Sequence, residues 1–412
     1  PELDQIVAVL KATLPSNSLV VQSTDFSHYL TPDQAAGKDL ETLNVLEQAD
    51  YEKILTLSQP GNIDSVAASY VQASLQYDLF SSSLEIINHK NSQDYTTEKI
   101  SSSTSYFAAA YIKNEKIISG PEPNDKTKKN QAEIIFVGDV MLSRYIGEMM
   151  SKKNNYDFPY IEIKPFLSGA DSVFANLESP ISSSGRSTRS LYPFRADPLV
   201  AAGLKNSGFT ILSVANNHAF DYGREAFSDT LKNIKNVGLS YVGGGVDFNE
   251  AHSGVYQEIN GVKIIYLAYT DLLPKTDAAS ETETGIAYLD IKQMIKDIKA
   301  AKEKVDLVIV SFHWGREYET RHNAHQEEIA KTAVEAGASL IIGHHPHVVQ
   351  ELESYHNVYI AYSLGNFIFD QNFSPETNIG LALKVVINDK KISSVNSQII
   401  SFNHNFQPYI SK

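Results

Sequence analysis

The stretch Glu133-Ile134-Ile135-Phe136-Val137-Gly138-Asp139-Val140 decides how this chain folds. A short run of Ile, Phe and Val, too brief for a helix and stopped by Gly-Asp, reads as a buried strand with a carboxylate at its end. Working outward, residues 172–176 (SVFAN), 210–215 (TILSVA), 262–268 (VKIIYLA), 306–312 (DLVIVSF), 339–343 (SLIIG) and 358–362 (VYIAY) repeat the pattern. Helical patterns lie between them, over residues 225–237 and 291–304. Strands alternating with helices predict an α/β domain, and the tail, 379–388 then 392–402, reads as a closing antiparallel pair.

Nearly every one of these strands ends in a polar residue able to bind a metal: Asp139, Asn176 with Glu178, the run Asn216-Asn217-His218, His313, and His345 with His347. In layered α/β folds, sites collect at the carboxyl ends of strands, so these residues are expected to converge on one edge. The 412 residues include no cysteine, which excludes disulfides and thiolate metal sites and leaves His, Asp, Glu or Asn to hold any cation. The formal charge of −14 argues against nucleic acid or an anionic membrane surface as the main partner, since both need a basic face. It leaves room for an anionic substrate held by a few local arginines.

The length predicts two domains. The clearest break is GPEPNDKTKKN at residues 120–130, polar and with two prolines, which reads as an exposed linker. The expected division is a domain at 1–119, a linker at 120–131 and a second domain at 132–404. No apolar run reaches the length of a membrane span. Pro1-Glu2-Leu3-Asp4 is neither a start nor a basic leader, so the chain reads as a fragment or processed form; the lack of cysteine fits an extracytoplasmic protein.

The densest motif is His344-His345-Pro346-His347. His345 and His347 can face one ion from an extended turn whose backbone Pro346 fixes, against the plainer reading of a polar surface turn. Asn217 offers a side-chain carbonyl, His218 a general acid, and Asp221 a carboxylate to hold that imidazole in the useful tautomer. Helix capping accounts for one Asn, not for the whole set. Asn176 and Glu178 fall on the same side of an extended segment, and Glu178 is placed to bridge two ions. His313 follows an apolar strand and precedes Trp314, the single tryptophan. Arg186, Arg189 and Arg195 gather in the loop after Glu178 and read as an anion clamp or an ordinary solvated loop. Arg144 and Glu317 complete the expected substrate-binding set, and Gly365-Asn366 reads as a tight turn supporting the site floor.

Taken in order, GDVMLSR, ANLESPI, FRA, VANNHAFDYG, FHWGREY, GHHPHVVQ and YSLGNFIFDQ resemble the CapA family of poly-γ-glutamate capsule synthesis proteins, related to calcineurin-like metallophosphatases, over residues 134–370. The resemblance implies a four-layer α/β/β/α sandwich with one or two divalent metal ions (Mn2+, Zn2+ or Fe2+). It implies Asp139, Glu178, Asn217, His313, His345 and His347 as ligands, and His218 with Asp221 serving the leaving group. The implied partners are an anionic polymer or phosphoester and other capsule-synthesis components at the cell envelope. Two departures stand out: Asp139-Val140-Met141 where metallophosphatases have Asp-x-His, and Asn176-Leu177-Glu178 in place of Gly-Asp-x-x-Asp.

The amino-terminal segment LVVQSTDFSHYL, residues 19–30, resembles the strand and turn of Memo-like proteins, whose fold is akin to class III extradiol dioxygenases. Asp25 and His28 match; Gln59-Pro60-Gly61 replaces the usual Cys-Gly and the upstream histidines are missing, so a partial α/β domain serving structure or docking is expected. Three functions compete. The first is a metal-dependent hydrolase. The second is a non-catalytic polyglutamate-binding or export component with a structural metal. The third, a redox or assembly factor built on the Memo-like part, is opposed by its missing ligands.

Overall fold

The computed structural model describes residues 2–14, 20–47, 51–78, 82–96, 100–113, 130–188 and 192–411. Most of the expected linker and Arg189 lie outside them. The chain divides into two units, Pro1–Pro123 and Asn124–Lys412.

In the first unit, strands β1 (His28–Leu30), β2 (Ser82–Asn91) and β3 (Ser103–Lys113) form an antiparallel sheet in the order β1-β3-β2. The helices Glu2–Thr13, Pro32–Glu47, Tyr51–Ile54 and Val66–Asp78 accompany it, and Leu46, Ile54, Leu57, Ile63, Val66 and Ala73 make a small apolar core. Of the described part of the segment expected as a strand, His28–Leu30 forms β1, and Phe26 and Ser27 before it exchange backbone hydrogen bonds with Ser105 of β3; Asp25 Oδ2 stands 3.4 Å from His28 Nε2.

The second unit contains β4 (Gln131–Val140), β5 (Ser172–Leu177), β6 (Ile211–Ser213), β7 (Ser240–Val242), β8 (Gly244–Gly245), β9 (Val255–Ile259), β10 (Val262–Thr270), β11 (Gly285–Ile286), β12 (Leu307–His313), β13 (Leu340–His344), β14 (Leu352–Tyr355), β15 (Val358–Ala361), β16 (Asn366–Ile368), β17 (Ile379–Asn388), β18 (Lys391–Phe402) and β19 (Pro408–Ile410). One sheet runs β19-β18-β17-β4-β5-β6-β7, with β16 also beside β4; a second runs β14-β15-β13-β12-β10-β9; β8 and β11 form a small pair. The expected closing pair is β17 with β18, and β19 extends that edge beyond residue 404, where the domain was expected to end.

Residue parity along the strands sorts the core into layers. Ile134 and Phe136 of β4 pack with Leu307 and Ile309 of β12 between the sheets. Their neighbours Ile135 and Val137 turn the other way, onto Phe227 and Leu231 of the helix Gly223–Asn236. Val308, Val310 and Phe312 likewise face Met294 and Ile298 of the helix Ile291–Lys302 and Ile329 of the helix Ala324–Ala336. Strands buried on both faces read as continuous apolar runs for this reason. The result is the expected order: helices, sheet, sheet, helices.

Pairing places the chemistry. The parallel registers set Asp139 beside Asn176, and His313 beside His344, so both sheets present their carboxyl ends to one edge. Between Phe136↔Phe174 and Asp139↔Asn176, β4 spends one residue more than β5, a bulge at Val137-Gly138. The bulge reverses parity, as a one-residue slip does. Without it Asp139 would follow Ile135 and Val137 toward the helix layer, where an unpaired carboxylate costs roughly several kcal/mol. With it, Asp139 faces the histidines of the other sheet. Gly138 permits the bulge, because a Cβ there would stand 2.0 Å from the Gly365 carbonyl oxygen.

Candidate metal centre

Asp139, Glu178 and His313 are each no more than 1% exposed, and their side chains meet where the two sheets end. Asp139 accepts from the Asn176 amide at 2.8 Å and from the backbone N–H of His345 at 3.3 Å. Its two oxygens lie 3.4 Å from His344 Nδ1 and 3.4 Å from His347 Nδ1. Asn176 and Glu178 share one side of their segment, as parity requires, and the Asn176 amide also reaches Glu178 Oε2 at 3.3 Å and His313 Nδ1 at 3.2 Å. Asn216 in turn donates to Asn176 Oδ1 at 3.2 Å and to the Leu177 carbonyl at 2.7 Å.

Glu178 Oε1 is buried without a hydrogen bond. Around it stand His347 Nε2 at 3.5 Å, His218 Nε2 at 3.9 Å and His313 Nε2 at 4.0 Å. These gaps are too long for hydrogen bonds. They approach the separation, roughly 3.0–3.5 Å, of two atoms each bound about 2.1 Å from one cation. His345 Nδ1 is likewise buried and unpaired. Among the described residues, three groups each bring one donor atom per residue within 4.8 Å of one another: Glu178–His313–His345, Asp139–Glu178–His347 and Glu317–His345–His347. His313 Nε2 faces Asn217 Oδ1 at 2.8 Å, which brings the expected amide donor to the same place. Carboxylates, imidazoles and an amide oxygen suit a divalent cation, so the donor set fits one.

The protonation states follow from the geometry. Burial pushes Glu178 well above the ordinary carboxylate range, and the Asp139 charge adds to this. Burial also opposes the Asp139 charge, but the His344 and His347 rings beside it outweigh this and hold Asp139 well below its usual value. Burial keeps His313 neutral far below its ordinary value and lowers His345 to about 3. The turn carrying His345 and His347 puts both in the left-handed region, φ 97° and 59°, a strain held by the surrounding contacts.

His218 Nδ1 contacts Asp221 Oδ2 at 2.7 Å, and its ring stacks on Phe194 at 4.1 Å. Asp221 also accepts from the Phe194 N–H at 2.7 Å. A cleft of about 490 Å3 opens beside this assembly, lined among others by Arg144, Phe194, His218, Glu317, Tyr318, His347 and Phe369.

The expected clamp of Arg186 and Arg195 does not line that cleft. Asp221 pins Phe194 inward, so the next residue along the extended chain points out; Arg195 lies over the Tyr222 ring at 4.1 Å and donates to the Ser184 carbonyl at 3.3 Å. Arg186 is exposed in the same loop, and Arg189 falls outside the described residues. Arg144 does line the cleft, paired through two nitrogens with Asp370. Sequence reasoning passed over His344, which faces Asp139, and Asp370; the place of His344 in β13 beside His313 was the available signal.

The model of the bacterial capsule synthesis protein family, PGA_cap, matches residues 133–371. The chain belongs to this family. Within the capsule synthesis family it is 33% identical over 276 residues to the capsule biosynthesis protein CapA of Bacillus anthracis, covering 65% of this chain and 66% of that protein. It is 35% identical over 263 residues to the PGA biosynthesis protein CapA of Bacillus subtilis strain 168, covering 62% and 69%. The aligned part thus spans about two thirds of these relatives' length. Among solved structures, the NAD nucleotidase of Haemophilus influenzae is 13% identical over 68% of this chain and 54% of its own, with a TM-score of 0.40. The calcineurin-like phosphoesterase YfkN of Bacillus subtilis is 14% identical over 66% and 91%, with a TM-score of 0.39. The four layers rest on the strand packing itself. The family match begins at residue 133 and leaves the Memo-like expectation for the first unit resting on its motif alone. No helix among the described residues is long and apolar enough to cross a membrane.

Proposed function

We propose that the second unit is a divalent-cation-dependent hydrolase-like domain of poly-γ-glutamate capsule synthesis, working at the cell envelope on an anionic polymer or a phosphoester. The observation that carries this reading is Glu178 Oε1, buried without a hydrogen bond and ringed by three imidazole nitrogens. Asp139, Glu178, Asn217, His313, His345 and His347 would hold the ion, with Mn2+, Zn2+ and Fe2+ all suiting these donors. A bound divalent ion supplies Lewis acidity and a water of lowered pKa.

The residues around it have their own tasks. Asp221 fixes the His218 ring from Nδ1, which leaves Nε2 to pass a proton to a leaving oxygen. Phe194, stacked on that ring, holds its orientation and keeps one wall of the cleft apolar. Arg144 meets the anionic group of the substrate at the cleft mouth, and Glu317 faces the same space.

A second reading draws on the near-complete burial of Asp139, Glu178 and His313. An enclosed cation would then serve structure, in a protein that binds or guides the polymer without cleaving it. The deciding experiment supplies the purified chain with Mn2+ or Zn2+ and offers phosphomonoesters, phosphodiesters and poly-γ-glutamate, comparing wild type with His218→Ala. Turnover that disappears in the variant, with folding and metal content kept, supports the hydrolase. Polymer binding with no turnover on any of these substrates supports the second reading.

A further inference from the structure

Two of the donor groups share Glu178, and they are not equally complete. Glu178, His313 and His345 gain a fourth donor in Asn217 Oδ1, which already faces His313 Nε2 at 2.8 Å. Among the described residues, Asp139, Glu178 and His347 group with no fourth carboxylate or imidazole, and the neighbouring Asn366 Oδ1 is taken up by His347 Nδ1 at 3.1 Å. The strand that carries Asp139 continues into Met141, which is fully buried in the apolar layer beneath the helices, its sulfur accepting from Ser143 N at 3.2 Å and Ser143 Oγ at 3.0 Å. That side chain is turned away from the cation edge.

The other sheet offers a replacement. After β12 the chain turns at Gly315, φ 86°, where a Cβ would stand 2.8 Å from Gln326. The loop is then fastened to the histidine turn: Trp314 N donates to the His344 carbonyl at 3.2 Å, and Tyr318 N to the Pro346 carbonyl at 2.8 Å. Between these anchors sits Glu317, exposed at the cleft, its carboxylate within 4.8 Å of nitrogens of both His345 and His347. His345 Nδ1 is buried and without a hydrogen bond.

We propose that Glu317 is a cation ligand that completes the Asp139–Glu178–His347 group, in the place that Met141 vacates. This rests on the cation reading of the site given above. It makes the two centres unequal. The Glu178–His313–His345–Asn217 centre takes three of its four donors from buried side chains, with the half-buried Asn217 at the cleft as the fourth, and holds its ion tightly. The Asp139–Glu178–His347–Glu317 centre owes one donor to an exposed side chain on a loop, so its ion exchanges with solvent and stands where substrate enters. Open coordination toward a cleft is the arrangement of reactive rather than structural ions.

The test is a calorimetric titration of the full chain with Mn2+ alone, followed by Glu317→Gln and, as a charge control, Glu319→Gln. Glu319 is equally exposed in the same loop. The expected result is two Mn2+ per wild-type chain in a tight and a weak step. Glu317→Gln weakens the weak step at least about tenfold and leaves the tight step unchanged; Glu319→Gln alters neither. A single Mn2+ in the wild type overturns the proposal. So does a Glu317→Gln chain that titrates like wild type, or a Glu319→Gln chain that titrates like Glu317→Gln. No Mn2+ bound at all would instead defeat the underlying cation reading.

Discussion

Asn176 donates its side-chain amide to Asp139 Oδ1 at 2.8 Å, and the same nitrogen lies 3.3 Å from Glu178 Oε2 and 3.2 Å from His313 Nδ1. One buried amide from the first sheet therefore braces ligands from both. An amide nitrogen cannot itself bind a cation while it donates, so Asn176 supports the centre without joining it. Asn176→Ala should cost about 1–3 kcal/mol of stability, the usual penalty for leaving buried acceptors unpaired. Urea unfolding of the cation-free chain measures it. An unchanged midpoint would mean that the amide carries no load.

Gly138 sets the direction of Asp139. Its missing Cβ lets the Gly365 carbonyl approach, and that carbonyl accepts from Asp139 N at 3.0 Å. Gly138→Ala must displace backbone rather than a flexible side chain. The expected outcome is a loss of about 3 kcal/mol or more together with loss of tight Mn2+ binding. A variant with wild-type stability and affinity would show that the bulge does not orient the carboxylate.

How much of this was legible in the sequence follows from the same elements. The strands and their order of layers were readable because runs such as FVGDV and IVSFH carry apolar residues on both parities, the mark of a strand buried on two faces. Their polar ends gave away the edge. The bulge was not readable: nothing in EIIFVGDV says that Gly138 is an extra residue, since the cause is a carbonyl over two hundred residues away. The arginine clamp misled for a related reason. Charge clustering along a loop does not tell which way each side chain points, and Asp221, by binding Phe194 N, turns Arg195 outward.

Glu178 predicts a proton count. Burial first, and the Asp139 charge second, raise it well above the ordinary range, while His313 and His345 are held neutral. Above the ordinary carboxylate range the cation-free Glu178 therefore still carries its proton, and the ion must expel it. Calorimetry in buffers of different ionisation enthalpy should find about one proton released per tightly bound Mn2+, with affinity falling as pH falls. No release would show Glu178 ionised beforehand.

The same shift has a stability consequence with the opposite sign to most carboxylates. A raised folded-state pKa means that the native chain binds more protons than the unfolded one above about pH 4.5. His313 and His345, held neutral when folded, add a slope of the opposite sign until their unfolded forms have lost their protons about one pH unit above 6.5, so the part due to Glu178 is read from the difference between wild type and Glu178→Gln. Over pH 6.5–8 the contribution of Glu178 to stability should therefore decline in the cation-free chain, and Glu178→Gln should flatten that decline. Thermal unfolding across this range tests it; parallel profiles for wild type and variant would contradict it.

Arg144 is held by Asp370 through two nitrogens and lies over the rings of Phe194 and Phe369 at 5.1 and 5.9 Å. Its charge is largely met before any substrate arrives. Asp370→Asn should bind inorganic phosphate about two- to fivefold more tightly, the worth of one part-exposed charge pair. Weaker phosphate binding would show that Asp370 matters for placing the guanidinium rather than for quenching it.

The central claim is that side chains from both sheets close around one cation position beside Glu178. Crystals soaked in Mn2+ and measured at a wavelength where manganese scatters anomalously test it most directly. A manganese peak about 2.0–2.3 Å from Glu178 Oε1, within reach of His313 or His347, is the predicted result. A map with no peak there, or with manganese bound only among other residues, would contradict the account.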